Sequence, residues 1–269
     1  MFRLKYVILF LFHNNSLGGL LMVTKVLSVS ASLPNCTGGI QRDLQLFQTC
    51  DVFGFTVITE LITIDRSTQS SYTFDSSLVK QQFSTVLIAE PIDAINIGCL
   101  TTVKTTDTLT ELLLETQTKH IISAPVNYNY SSSTDLTAYE LMQYAEKLIP
   151  LSTISILTYE DALNILKVSP NVNHDSNDLT LIAKEIFKIY RPKAILILKI
   201  ENKSTIAVSQ HVLFDGKKCQ FFTHKIFNQQ NKHSMQGDLA AFITAELGKG
   251  LSIMQACKLA EKFIEQSYD

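Results

Sequence analysis

The stretch HSMQGDLAAF at 233–242 sets a glycine, Gly237, and a carboxylate, Asp238, directly before an apolar run. A glycine ahead of a helix lets backbone N–H groups turn toward an anion, and the helix dipole favours negative charge at that end. A carboxylate there could take the proton of an alcohol while the same amides hold a transferring phosphoryl group. Aspartate is also among the preferred helix N-caps. On spacing alone both roles fit, and the cap is the commoner use. A second candidate follows the strand-like VTKVLSVSA at 23–31, where Gly38 and Gly39 open the helical pattern GIQRDLQLF. It lacks the GxGxxG spacing of a dinucleotide fingerprint, and a tight strand-to-helix turn accounts for it equally well. Lys199 closes an apolar run, where a nucleotide contact and a strand-end lysine lying along the sheet both fit. Cys99, behind Gly98, reads as buried packing.

Such residues need elements that bring them to one edge. Period-2 and apolar runs predict strands at 53–64, 93–100, 119–126, 152–157 and 193–200, and a hairpin of 205–214 with 219–227 about Asp215-Gly216. Helical periods fill 38–50, 76–90, 108–117, 134–147, 159–167 and 178–190 between them. Two helices finish the chain, the second with Ser252 and Gln255 spaced as a capping box. Lys258, Glu261, Lys262 and Glu265 read as the solvated face of that last helix. Strand and helix alternate, and most strands are apolar on both faces. This predicts a three-layer α/β/α domain with a mostly parallel central sheet. In such sheets ligands bind outside the carboxyl ends of the strands.

The totals narrow the function. The chain has 269 residues, with 46% hydrophobic and 18% charged and a net charge of −2, and no basic block to suit a nucleic acid. Its five cysteines are scattered and without CxxC spacing, which fits reduced thiols in a cytoplasmic protein. Residues 1–21 contain the apolar run YVILFLF, too short to span a bilayer as a helix. They are expected to be an extension outside a single domain of residues 22–269, with no membrane partner.

The segment VLSVSASLPNCTGGIQRDLQLFQ is similar to the opening of the hydroxymethylpyrimidine/phosphomethylpyrimidine kinases and bacterial pyridoxal kinases of the ribokinase superfamily, which runs GSDxSxGAGxQADLKTF after a strand. Gly39, Gln41, Asp43, Leu44 and Phe47 match it. Three further segments match in order. They are DVFGFTVITELITID, SLVKQQFSTVLIAEPIDAINIGCL and HSMQGDLAAFITAELGKGLSIMQACKLAEKFI, the last resembling HGxG[CD]TFxxAxxAxLAxGxSxxEAVxxAKxFI.

The resemblance implies a ribokinase-like fold and transfer of a phosphoryl group from ATP with Mg²⁺ to the hydroxymethyl group of a vitamin-related pyrimidine or pyridine, in a protein that could form a homodimer. It puts Asp238 at the catalytic base and Gly237 at the anion hole. It implies nucleotide contacts at Lys199, Thr158 and Gln236, substrate contacts at Ala31, Leu33, Gly39 and Gly98, and a metal-shell carboxylate at Asp161. The sequence also departs from the pattern. Met235 replaces the first anion-hole glycine, Leu33 the aspartate of GSD, Ala31 its glycine, and Ala124 the aspartate of DPVM. Thr158 and Asp161 stand where the family has Asn and Glu, and Ile200-Glu201 replace the glycines of KGG. These departures imply an alternative, a degenerate member that binds a ligand or partner without transferring phosphate.

Overall fold

The computed structural model describes residues 23–65, 68–126, 137–168, 176–203, 206–226 and 232–268. The 1–21 extension and the start of the helix expected from Thr134 lie outside the described residues. In chain order the elements are β1 (Lys25–Ser32), α1 (Gly39–Thr49), β2 (Phe53–Asp65), β3 (Thr68–Thr73), α2 (Ser76–Ala89), β4 (Ala94–Ile97), α3 (Val103–Glu115) and β5 (His120–Ser123). They continue with α4 (Ala138–Leu148), β6 (Ile154–Thr158), α5 (Tyr159–Leu166), α6 (Ser176–Tyr190), β7 (Ile195–Lys203), β8 (Ile206–Phe214), β9 (Cys219–Ile226), α7 (Lys232–Gly248) and α8 (Ile253–Tyr268).

One sheet runs in the order β3-β2-β1-β4-β5-β6-β7-β8-β9. The strands from β2 to β7 in that order pair in parallel, and β3, β8 and β9 add antiparallel edges. The central strands are buried on both sides, as their unbroken apolar runs require. Val26 on one face of β1 packs with Leu46 and Phe47 of α1, Leu239 and Ile243 of α7, and Ala260 of α8. Leu27 and Val29 on the other face pack with Phe83 of α2, Leu109 of α3 and Tyr144 of α4. This is the three-layer α/β/α arrangement that the alternating pattern predicts.

Two of the differences from the sequence reading concern β3 and α3. The residues TQSSYT, to which the sequence pattern assigns no element, form β3 and pair with β2 from Glu60↔Thr73 to Asp65↔Thr68. The helix expected at 108–117 begins at Val103, because Thr102 caps it by accepting from the Thr105 amide. The chain leaves β1 toward β2 on one side and β4 lies on the other, so the strand order reverses at β1. Topology therefore directs a ligand to the carboxyl ends of β1 and β4, beside Ala31–Leu33 and Gly98–Cys99. Among the described residues, all five cysteines are free and no helix is long and apolar enough to cross a membrane.

Candidate active site

The loop from β1 into α1 is shaped by close contact. Gly39 has φ +62, and a Cβ there would lie 2.2 Å from the Ala31 carbonyl oxygen and 2.7 Å from Leu33 Cδ1. Only glycine fits that backbone and that space. The loop is then tied by Gln41, whose Oε1 accepts from the Leu33 amide (2.9 Å) and whose Nε2 donates to Ser32 Oγ (2.7 Å). Across the crevice a Cβ on Gly98 would meet Ser30 Oγ at 2.5 Å, so the β4 end can approach β1 only as glycine. Ala31, Leu33, Gly39 and Gly98 are thus brought together around one crevice. Leu33 and Ala31 are buried there, at 1% and 0% exposure.

The structure adds Glu60, which the sequence reading passed over. It sits near the carboxyl end of β2, buried, and accepts from Thr101 Oγ1 (2.8 Å), the Cys99 thiol (3.4 Å) and Ser71 Oγ. The carboxylate and burial together push the Cys99 thiol well up, burial most, so Cys99 is a packing and hydrogen-bonding group rather than a reactive thiolate.

Helix α7 carries the other half of the site. Its last residue, Gly248, lies against Thr24, Val26 and Ala94 at the amino ends of β1 and β4. Its first turns therefore lie at the carboxyl edge, where the chemistry is expected. Here the sequence reading needs correction. The helix begins at Lys232, so Gly237 and Asp238 stand about one and a half turns inside it. Asp238 is not an N-cap. The Gly237 amide is committed to the carbonyl four residues back, as helix-interior amides are, so it does not face an anion. The amides left without helical partners belong to the first turn, 232–235.

Asp238 is 1% exposed, and a guanidinium holds both its oxygens. Arg42 Nε donates to Oδ1 (2.9 Å) and Nη2 to Oδ2 (2.6 Å). This bidentate fork is the strongest geometry available to a carboxylate. Arg42 stands where the family's opening motif has alanine. The pair joins α1 to α7 at the crevice. Met235 is buried at 1% in the core, and buried Gln236 donates its Nε2 to the Ile156 carbonyl oxygen (2.8 Å). The Gln236 side chain is thus turned onto β6, away from the nucleotide role that the resemblance implied.

Thr158 and Asp161 form the capping box of α5. Thr158 Oγ1 accepts from the Asp161 amide (3.0 Å), and Asp161 Oδ2 accepts from the Thr158 amide (3.3 Å). Burial pushes the Asp161 carboxyl up to about 6, with the Thr158 bonds pulling it back. Lys199 leans over the Tyr159 ring, its Nζ 5.2 Å from the centroid, beside that cap. Thr158 and Asp161 thus stand at the end of β6, and Lys199, level with them in the middle of β7, reaches the Tyr159 ring beside them.

A buried acid lies directly behind the Arg42–Asp238 pair. Asp43 accepts from Ser28 Oγ (2.5 Å) and Asn96 Nδ2 (3.0 Å). Burial, with the negative charge of Asp238, raises its pKa to about 7 against the opposing pull of those bonds and Arg42. The native state then holds a proton that the unfolded chain releases, so this group's contribution to stability falls as pH rises from 3.8 to about 7 and stays low above it. Asp43→Asn is expected to flatten that part of the profile. Urea midpoints of wild type and variant at about pH 5 and about pH 8 measure it, and equal slopes in both proteins refute it.

Comparison with known proteins decides the family. A family model described as phosphomethylpyrimidine kinase matches residues 34–269. The chain belongs to the phosphomethylpyrimidine kinase family. Relatives of this family include the pyridoxine kinase of Bacillus subtilis, 25% identical over 243 residues, which span 89% of this chain and 88% of that one. A hydroxymethylpyrimidine/phosphomethylpyrimidine kinase of Staphylococcus aureus is 24% identical over 242 residues, 90% of this chain and 86% of that one. Among solved structures, an ADP complex of Bacillus subtilis pyridoxal kinase superimposes with a TM-score of 0.80 at 25% identity, covering 90% of this chain and 91% of the other. Staphylococcus aureus pyridoxal kinase with AMP-PCP gives 0.82 at 22% identity, over 92% and 88%. The segments that resemble the family's opening and closing motifs lie on α1 and α7, which the Arg42–Asp238 fork joins.

Proposed function

We propose that the protein is an ATP-dependent kinase that phosphorylates the hydroxymethyl group of a vitamin-related heteroaromatic ring, a hydroxymethylpyrimidine or a pyridoxal-like pyridine. The observation that carries this reading is the family match over residues 34–269, with Asp238 held at the α1–α7 wall of the crevice. The relatives' names supply the substrate class, and two of the solved neighbours hold ADP or an ATP analogue. Asp238 takes the hydroxyl proton on one carboxylate oxygen after Arg42 gives up one of its two bonds. Arg42, freed at one nitrogen, then faces the charge that builds on the phosphoryl group. The first-turn amides of α7 are the donors open to that group, in place of Gly237. The Thr158–Asp161–Lys199 group fits the nucleotide side. Asp161 is a carboxylate with one oxygen engaged in the cap and the other available to a hydrated Mg²⁺, a hard ion suited by oxygen. Lys199 supplies positive charge beside it. A bound Mg-ATP would contribute the transferring group and the charge neutralisation that such transfers need.

A specific observation favours a second reading. Both Asp238 oxygens are in the fork and the buried Met235 stands where the family has a glycine, which suits a chain that binds its ligand without transferring phosphate. Incubation with Mg-ATP and pyridoxal, pyridoxine or hydroxymethylpyrimidine, with ADP followed by a coupled assay, separates the two. ADP formation that depends on one of these rings supports the kinase. A ligand-induced rise in melting temperature without ADP above the ATP-only background overturns it in favour of the binder.

A further inference from the structure

Behind α7, on the sheet face opposite α2–α6, three chemistry-bearing side chains meet where nothing in the kinase reading uses them. His211 on β8, His224 on β9 and Glu261 on α8 are buried, at 0%, 8% and 2% exposure. Their ligand-type atoms all lie within 4.8 Å of one another. The pairing of β8 with β9 sets this up. Ser209 stands opposite His224 and His211 opposite Phe222, so Ser209, His211 and His224 share one face of the hairpin. The two imidazoles lie with ring centroids 5.6 Å apart. Glu261 reaches between them from α8. Its Oε2 accepts from His224 Nε2 (2.7 Å), and both its oxygens lie 2.9 Å from His211 Nδ1.

The hydrogen-bond inventory shows how the set is prepared. Ser209 Oγ lies against His211 Nε2 and 3.8 Å from Met235 Sδ. A carboxylate only accepts, so His211 donates Nδ1–H to Glu261 and its Nε2 accepts from the Ser209 hydroxyl, with Met235 Sδ as a weak second acceptor. His224 is held through Nε2 alone, and its Nδ1 has no partner among the described residues. Two rings thus turn one nitrogen each toward a single buried carboxylate. Rotation of the Ser209 hydroxyl lets its oxygen accept from His211 Nε2–H once Nδ1 holds a metal, the part played by the outer partner of a metal-bound histidine.

We propose that His211 Nδ1, His224 Nε2 and the Glu261 carboxylate form a structural site for a divalent transition metal, Zn²⁺ by ligand type, which fastens the β8–β9 hairpin to α8. Two imidazoles and a carboxylate, with a water in the fourth position, make a known donor set for zinc. Tetrahedral ligand atoms around zinc lie about 3.3 Å apart, so the short N–O contacts open by roughly half an ångström as the metal replaces the proton. On binding, the His211 proton moves from Nδ1 to Nε2, where Ser209 Oγ accepts it, and the His224 proton moves from Nε2 to Nδ1. Through Ser209 and Met235 the site also touches the first turns of α7, three residues before Asp238.

The test uses the full chain, free of any affinity tag and dialysed against chelator, with Zn²⁺ and Co²⁺ alone as probes. The expected result is uptake of one equivalent of Zn²⁺ with a raised melting temperature, and intense visible bands for four-coordinate Co²⁺. His224→Gln and Glu261→Gln are expected to lose that uptake, while Cys36→Ser, which removes an exposed thiol, retains it. No stoichiometric uptake by the wild type overturns the proposal and leaves a hydrogen-bonded His211–Glu261–His224 network in its place. Equal uptake by the wild type and His224→Gln overturns it as well. If Glu261→Gln does not fold, the wild-type cobalt spectrum and the His224→Gln titration decide the matter. None of these readouts depends on kinase activity.

Discussion

Asp238→Asn is expected to lower kcat for ring-dependent ADP formation by about 10²–10⁴-fold, the range for loss of a general base in proton transfer. Asparagine keeps the shape of the buried side chain and one acceptor for Arg42, so the walls of the crevice remain in place. It cannot take the hydroxyl proton. The loss therefore falls on kcat, with little change in KM for ATP, since the Thr158–Asp161–Lys199 group on β6, α5 and β7 is untouched. Steady-state ADP release, read beside a circular-dichroism spectrum that shows the variant folded, checks this. A variant that turns over within about threefold of wild type would show that the carboxylate is structural and move the base elsewhere.

The strand–helix alternation made most of the architecture legible. FGFTVITELITI and KAILILKI are β-branched and apolar enough to declare themselves, and β2 and β7 are where they were expected. TQSSYT has no such pattern, and it becomes β3 only because the edge of β2 offers it unpaired backbone groups. Gly237 misled in the opposite sense. It reads as the breaker before a helix, yet Met235 and Leu239 are spaced i, i+4 and both buried, and that tertiary packing carries the helix back to Lys232. The partner of Asp238 was invisible for a different reason. Arg42 lies 196 residues away in sequence, and only the packing of α1 on α7 brings the charges together. Glu261 was assigned to a solvated face alongside Lys258, Lys262 and Glu265. Those three are exposed, but Glu261 lies one position around the helix, and His211 and His224 on the hairpin draw it inward. Charge in a helical sequence marks a polar position without saying whether water or another side chain satisfies it.

Arg42→Ala leaves the Asp238 carboxylate at 1% exposure with its fork removed. Breaking a fully buried pair in this way costs about 3–5 kcal/mol. The Arg42 side chain is 30% exposed, so water screens part of the interaction and can enter the space left behind. The expected loss is nearer 2 kcal/mol, below the range for a fully buried pair. The cost should depend on the charge at 238, since a neutral side chain there has far less to lose. In the Asp238→Asn background, Arg42→Ala is expected to cost under about 1 kcal/mol, giving a coupling of about 1–2 kcal/mol in the double-mutant cycle. Urea denaturation of the four proteins measures it. Equal costs in both backgrounds would mean that Arg42 stabilises the fold through its stem packed on α1, and the Arg42–Asp238 fork would no longer explain why α1 and α7 close the crevice. A large coupling means that this contact is a charge clamp that substrate must open, which ties the stability of the α1–α7 wall to the chemistry assigned to Asp238.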